Sequence, residues 1–570
     1  MKENIKIPGI QFFFSICFCL LFSFLVSAQT NHASRFSKQV DHFLKERITE
    51  SAPGAAVIIT EKGNPIFKEC YGLANVEHDI SITFKTVFNL ASVSKQFTAF
   101  AILLLESEGK LHIDDDIHTY LPELPDYGNS VSIRHLLNHT SGIWEYWTAM
   151  HTYAGYRRYD YFTKNEVIEL IKHQDKLLFE PGSQWFYCNT NYLLLAEIVS
   201  RITGESFTSW TRKNIFEPLG MKDSFFHENS FQLFKYRASP YREDDNGRFI
   251  EDPDNRNNYA GHGYLYTTID DMMLWMDNFR TKKLGGNEVV DRMFEKGKLN
   301  NGSENFYGFG LGILNRHEKK VIEHSGQTGG YKAFMLYCPE NEVGITILAN
   351  EHSFDVEGIG EKIFGLYLGI TPAEKEKTQT EKRSYFTIDS SRVEDYVGMF
   401  LIEETSSRLA FCHIGENTFY GILEGLGQDK FYPVSDMKFI NRYENVSVTF
   451  VSDENNQFDR IELDLKGEIM QARRIEFERI SSSRLAQNYA GFYYSNAMGT
   501  VYEIKNDNHK LIMRHRRYDD RKFHQVSVDE FVSGYGIMRF KKDENGRIKG
   551  LEILDEYFNY NPIYFQKIED

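Results

Sequence analysis

The sequence predicts a layered α/β domain followed by two small all-β domains, and three observations lead there. Residues 33–49 carry apolar side chains at helical spacing (Phe36, Val40, Phe43, Leu44, Ile48), and a hairpin signature follows: AAVIIT (55–60) and PIFKECYG (65–72) flank the turn Glu61-Lys62-Gly63-Asn64. A second strand cluster, KKVIEHSG (319–326), YKAFMLYCP (331–339) and VGITILAN (343–350), stands far along the chain, so one sheet built from both ends of roughly the first 370 residues accounts for all five pieces. Beyond residue 384 the texture changes to short alternating strands with turn signals, and the chain repeats itself.

The chain has 570 residues and opens on a basic start, Lys2 and Lys6. An apolar run from Phe12 to Val26 and the small-residue ending Val26-Ser27-Ala28 follow. This reads as a secretory signal peptide over 1–28, and so as an exported, periplasmic or secreted protein. Cys17 and Cys19 lie inside the run without the small-residue context of a lipoprotein cysteine. No later segment reaches the ~18 apolar residues that span a bilayer. The remaining length suggests three or four units at about 150 residues each. Hydrophobic residues at 41% and aromatics at 15% supply ample core. A net charge of −16 argues against nucleic acid and anionic membranes, which both need a basic face. Cys70, Cys188, Cys338 and Cys412 are too widely spaced for a zinc site or a disulfide framework and read as free thiols.

Residues 373–384 are charged and lack apolar anchors, which sets a linker after a domain at 29–372. In the tail, VEDYVGMF (393–400) echoes AQNYAGFY (486–493), KFYPVSDMKF (430–439) echoes KFHQVSVDEF (522–531), and FVSDENNQFDRIELDL (450–465) echoes FKKDENGRIKGLEIL (540–554). The offsets stay within 90 to 93 residues, so the tail is a duplicated β-module, one copy at 385–480 and one at 481–570, each barrel- or sandwich-like. The Asp453/Asn455 and Asp543/Asn545 clusters lack EF-hand spacing and its closing Glu, and read as hairpin turns with Asn545-Gly546 as a turn pair.

The chemistry concentrates in FNLASVSKQFTAFAILLLESEGK (88–110). If Ser92 sits in the first turn of a helix, Ser92 and Lys95 share a face. The positive helix end favours an alkoxide, and it disfavours an ammonium, as burial does. A lysine made partly neutral can take the serine proton, the Ser–Lys form of an activated nucleophile. The apolar run FTAFAILLL would then anchor Ser92 in the core. S-x-x-K by itself is a weak signal, since a Ser cap before a solvated Lys is common. Context strengthens it: Tyr187-Cys188-Asn189 precedes an apolar helix, His324-Ser325-Gly326 ends a β segment, and VSIRHLLNHTSGI (131–143) and IFEPLGMKDS (215–224) add two further marks.

These motifs, in this order, make the first 370 residues or so resemble the serine β-lactamase and penicillin-binding protein family, in its class C-like branch with D-aminopeptidases, D,D-carboxypeptidases and esterases. The resemblance implies a β-lactamase/transpeptidase-like α/β (α+β) catalytic domain, a mixed antiparallel sheet with helices, ahead of two barrel- or lipocalin-like domains. It implies Ser92 as the acylated nucleophile, Lys95 as its base, and Tyr187 as the phenol that shuttles protons to the leaving group. It implies Asn189 as the amide that positions Lys95 and substrate, and His324 in the place of the Lys-Thr-Gly lysine. Gly326 would keep the strand open for substrate, and the backbone N–H groups of Ser92 and Gln327 would form the oxyanion hole. His135 and His139, at i and i+4, could suit a metal on one helix face; the resemblance makes them scaffold around a turn, and no cofactor or metal is expected.

Histidine at position 324 is charged part of the time at neutral pH, and serine replaces threonine beside it. Both changes weaken the case for carboxylate-bearing β-lactams. The expected function is an exported serine hydrolase that works through an acyl-enzyme on a small amide or peptide, D-amino-acid peptides first. Its partner would be a small-molecule or peptide substrate, cell-wall-derived peptides included. The alternatives are an esterase or acyltransferase, a weak β-lactamase, and, from another class, a slow-deacylating sensor.

Overall fold

The structure, a computed structural model, describes residues 35–370 and 385–568, apart from 230, 245, 254–258, 416, 424–426, 442–445, 455–456, 466, 508–509 and 555–561. The expected signal segment and the whole charged linker lie outside the described residues, as do Cys17, Cys19 and Asn455. The chain divides into two compact units: one takes residues up to 113, 192–298 and 303–376, the other 114–191, 299–302 and 377–570.

The first unit is built on a six-stranded sheet whose strands come from both ends of the segment. In chain order they are β1 (Ala55–Glu61), β2 (Asn64–Tyr71), β3 (Gly312–Arg316), β4 (Lys319–Thr328), β5 (Tyr331–Cys338) and β6 (Val343–Ala349). They lie in the order β3-β4-β5-β6-β1-β2, every pair antiparallel, with β1 set against β6 from Ala55↔Ala349 to Glu61↔Val343. The β1–β2 turn uses left-handed Lys62 (φ 52°) and Gly63 (φ 79°), as the EKGN signature requires. β1, β5 and β6 are buried almost throughout and read as continuous apolar runs, because helices cover both faces.

Helix α1 (35–45) lays Phe36, Val40 and Leu44 on one face of the sheet, beside Ile359, Ile363 and Phe364 of a C-terminal helix at Val356–Tyr367. On the other face runs α4 (Ile269–Thr281), and α2 (Lys95–Ser107), buried from Lys95 to Leu105, packs against α4. Between them in sequence, α3 (Asn189–Thr203) carries a second apolar helix. Trp275 of α4 packs 4.1 Å from Phe97 and 5.2 Å from Phe100, and its indole N–H donates to Gln96 Oε1 at 2.5 Å. Those contacts clamp α2, and with it the segment that carries Ser92.

The second unit holds a helical lobe and the tail. The tail is two closed eight-stranded barrels, one with strands from Gly398–Ile402 to Glu468–Arg474, the other from Gly491–Ser495 to Ile563–Lys567. The turn at Asn545-Gly546 closes as expected: the Asp543 carboxylate accepts from the N–H groups of Asn545 and Arg547, and Gly546 is left-handed. Cys70, Cys188, Cys338 and Cys412 are all free thiols. No helix among the described residues is long and apolar enough to cross a membrane.

Candidate active site

In the first unit, Ser92 sits on a 3-10 turn, Ala91–Ser94, which runs directly into α2. It therefore lies one turn ahead of the α-helix rather than inside its first turn. Ala91 holds φ at 47°, a left-handed conformation that a residue with a Cβ avoids. The bend is tied on its approach: the Leu90 N–H donates to Leu265 O at 2.8 Å and the Ala91 N–H to Asn89 Oδ1 at 2.8 Å. A strained residue held by its surroundings, immediately before a hydroxyl, is a common mark of a functional turn.

Lys95 opens α2 and is fully buried. Its Nζ lies 3.1 Å from Ser92 Oγ and donates to the backbone carbonyl of His262 at 2.7 Å. The Tyr192 ring centroid lies 5.8 Å away. Burial and the Lys95 charge together push the His262 imidazole well below its ordinary range. Only the carbonyl of His262 is needed for the lysine contact, which the sequence gives no sign of.

Strand β4 brings the third motif against this turn. A Cβ at Gly326 would stand 2.3 Å from Leu90 O and 2.9 Å from Ser92 N, so glycine is what lets the strand approach the Ser92 backbone. His324, two residues earlier, is 9% exposed. Its Nε2 lies 2.9 Å from the Tyr307 hydroxyl and its Nδ1 2.6 Å from Ser325 O. Burial, with the Lys95 charge, pushes it down to about 3. The expectation of a part-time cation at this place is thereby corrected: the ring is neutral at neutral pH, because its desolvation outweighs what the Ser325 carbonyl returns. Gln327 turns its side chain toward His352, with Nε2 to Nε2 at 2.9 Å, and His352 Nδ1 lies 3.3 Å from the buried Asp252 carboxylate.

In the second unit, the Tyr187 ring packs tilted at 39° against His139, ring centroids 4.5 Å apart. His139 is buried at φ 59°, its carbonyl accepts from the Phe186 N–H at 2.8 Å, and its Nδ1 accepts from the Cys188 N–H at 3.1 Å. The RHLLNHTSG turn is thus a cradle for the Tyr187-Cys188-Asn189 segment. His135 does something else: its Nδ1 accepts from the Ser132 N–H at 3.2 Å and closes a capping box on the helix Ile133–Leu137. The two histidines serve separate backbone groups, and no cluster of three or more metal-ligating side chains occurs among the described residues.

Asn189 is the first residue of α3. Its side-chain Nδ2 donates to Glu145 Oε1 at 3.1 Å, and its backbone N–H reaches the same oxygen at 3.3 Å. Glu145 is a residue the motifs do not name. Its burial pushes the carboxyl up, against the pull of the Thr148 and Asn189 donors. A sequence signal does exist: Glu145 is the one charged residue in the apolar and aromatic run Ile143-Trp144-Glu145-Tyr146-Trp147, and a carboxylate there must have partners. Tyr307, Asp252 and His352 carry no comparable local signal.

Ser92, Lys95, His324, Gly326 and Gln327 thus share the first unit, and Tyr187 and Asn189 share the second. The Beta-lactamase family matches residues 36–365, more than half of the chain. Penicillin-binding protein 4* of Bacillus subtilis (strain 168) is 27% identical over 425 residues, 70% of this chain and 90% of that protein. The D-aminopeptidase of Brucella anthropi is 25% identical over 349 residues, 61% of this chain and 65% of its own length, so the match spans just under two-thirds of that relative. The structure of the octameric penicillin-binding protein homologue from Pyrococcus abyssi superposes with a TM-score of 0.54 at 23% identity, over 76% of this chain and 99% of that one, which is a likeness of fold. The chain belongs to the beta-lactamase family and is a serine hydrolase of that class.

Proposed function

We propose that the protein cleaves small amides or peptides by acylation of Ser92, with D-amino-acid amides as the first substrate class. The observation that carries this reading is the 3.1 Å contact between Lys95 Nζ and Ser92 Oγ at a fully buried lysine. A buried ammonium is costly, and the His262 carbonyl holds one N–H of the charged Nζ, so loss of a proton from Nζ turns its lone pair to the hydroxyl. Lys95 then takes the Oγ proton as Oγ bonds to the substrate carbonyl carbon. The carbonyl becomes an oxyanion that accepts from the N–H groups of Ser92 and Gln327. Collapse expels the amine, which leaves with a proton delivered by Tyr187. Water, deprotonated by the same group, attacks the ester carbonyl, and the bond to Oγ breaks as Lys95 returns its proton to Ser92 Oγ.

The neutral state of His324 supports the substrate class. A site without a cation there gives a substrate carboxylate nothing to pair with, which favours amides over penicillin-like ligands. The likeness to a D-aminopeptidase points the same way. An export signal at 1–28 belongs to this reading; N-terminal sequencing of the secreted protein should find Gln29 first, and an intact Met1 would remove the signal from it.

A fluorophosphonate probe should label the wild type and leave Ser92→Ala unlabelled; equal labelling of both would end the nucleophile assignment. Across D- and L-aminoacyl amides, muropeptides, p-nitrophenyl esters and a chromogenic cephalosporin, the D-aminoacyl amides should show the highest kcat/KM. Turnover confined to esters would replace the amidase reading with an esterase, and a single stoichiometric burst would replace it with a sensor.

A further inference from the structure

Every polar contact of Glu145 among the described residues is with a donor. Oε2 accepts from the Thr148 N–H at 2.8 Å and from Thr148 Oγ1 at 3.3 Å; Oε1 accepts from the Asn189 N–H at 3.3 Å and from Asn189 Nδ2 at 3.1 Å. The side chain is buried, 5% exposed, and caps the short helix Tyr146–Thr148. A carboxylate facing two backbone N–H groups is an acceptor. An Asn amide beside it must present its NH2 and turn its Oδ1 the other way, because the reverse orientation would set two oxygens face to face. We infer that Glu145 is a positioning residue for the reaction: it sets the amide orientation of Asn189, so that the oxygen of that amide is the end offered to the catalytic groups. This rests on the reading of Asn189 as a member of the active site.

The same turn is held from the far side by the second barrel, within the same unit. The Tyr518 hydroxyl accepts from the Gly155 N–H at 2.8 Å and donates to Met150 O at 3.2 Å; Arg521 donates to Thr152 O at 2.8 Å, and the Tyr502 hydroxyl to Tyr153 O at 3.0 Å. These bonds fasten the residues immediately after Glu145, so the carboxylate that orients Asn189 stands on an anchored segment.

The test is a double-mutant cycle on the full chain, read as kcat and KM on a D-alanyl p-nitroanilide. Glu145→Gln must set an NH2 against the Thr148 donors, which loosens the Glu145 turn, or against the Asn189 donors, which inverts the Asn189 amide, so kcat should fall about 10- to 100-fold with KM changed less than about threefold. Asn189→Asp by itself opposes two carboxylates and should also be impaired. In Glu145→Gln/Asn189→Asp the new carboxylate accepts from the amide introduced at position 145 and still offers an oxygen, so the double variant should exceed Glu145→Gln by about tenfold. If Glu145→Gln does not fold, recovery of fold and rate in the double variant supports the inference, and recovery of neither overturns it. Wild-type kcat in Glu145→Gln, with Asn189→Ala inactive, overturns the positioning role alone. Wild-type kcat in Asn189→Ala overturns the reading of Asn189 and this inference with it. A loss in Glu145→Gln confined to substrates with a free α-ammonium, with N-acetylated analogues spared, makes Glu145 a substrate contact and overturns the positioning role.

Discussion

The two barrels descend from one repeated sequence, and they agree where closure is at stake and differ where partners are. In the first, Tyr396 is buried among Phe419, Phe439, Phe450 and Phe458, and its hydroxyl donates to Asp436 O at 2.7 Å. In the second, Tyr489, 93 positions later, packs on Phe531 and Phe540 and donates to the Asp529 carboxylate at 2.6 Å, one residue past the position equivalent to Asp436. The last strand of each sends a cation back to the entry of the first strand. Arg474 donates to Phe458 O, Val397 O and Asp395 O at 2.6, 2.7 and 2.6 Å and lies 4.8 Å from the Phe400 ring. Lys567 donates to Asn488 O at 2.8 Å and lies 5.7 Å from the Tyr493 ring, each partner 93 positions on. The device survives duplication because every closed sheet must join its first strand to its last. The outer faces carry no such demand. The first barrel turns Met399, Ala410, Cys412 and Ile422 to the second, which answers with Val526, Val532 and Ile537. The second also grips the helical lobe through Tyr502, Tyr518 and Arg521. Among the described residues, the second barrel carries the bonds that join the tail to the lobe.

The strongest way to break this comparison is at the closure cations. Arg474→Ala strands three carbonyls at once and should cost about 3–5 kcal/mol of tail stability in urea unfolding, against about 1 kcal/mol for Lys567→Ala. Equal losses would mean that the two devices are not equivalents of different strength. Next comes the grip on the lobe. Gly155 is left-handed at φ 89°, and a Cβ there would stand 2.5 Å from the His515 ring of the second barrel. Gly155→Ala should cost about 1–3 kcal/mol and raise amide exchange over 149–156, whereas Gly415→Ala in the first barrel, which is left-handed but meets nothing, should cost about 1 kcal/mol and leave 149–156 alone.

The smallest effect is in acid. Glu394 lies 2.6 Å from Lys510 and 3.3 Å from His524, both of the second barrel. The His524 contact, with Lys510 in support, holds its carboxyl down to about 2 from an ordinary 4.5. A depressed carboxylate adds stability above its unfolded value and loses it as pH falls, here from about 4.5 to about 2. Acid unfolding monitored by tryptophan fluorescence should begin at higher pH in the wild type than its neutral-pH stability alone implies, and Glu394→Gln should flatten that slope. An unchanged slope would remove this pair from the contact between the barrels.

Much of the molecule was legible in its residues. The EKGN hairpin, the apolar run of α2, the Ser92–Lys95 spacing and the 90-to-93-residue repeat are all local patterns, set by backbone preference and side-chain period. They are readable without knowing what packs against them. His324 shows the limit. Its identity and place in the motif were plain, but its charge was not, because ionisation depends on burial and on the Lys95 charge, neither of which is near it in the local pattern.

Residue patterns alone were enough for the family resemblance, the strand and helix types and the candidate nucleophile. The left-handed bend at Ala91, the His262 carbonyl on Lys95, the fit of Gly326 against Ser92 and the Glu145 hold on Asn189 came into view with the fold. The physical reason is that local propensity acts over a few residues. Distance, desolvation and hydrogen-bond geometry arise only when segments far apart in the chain are brought within a few ångströms.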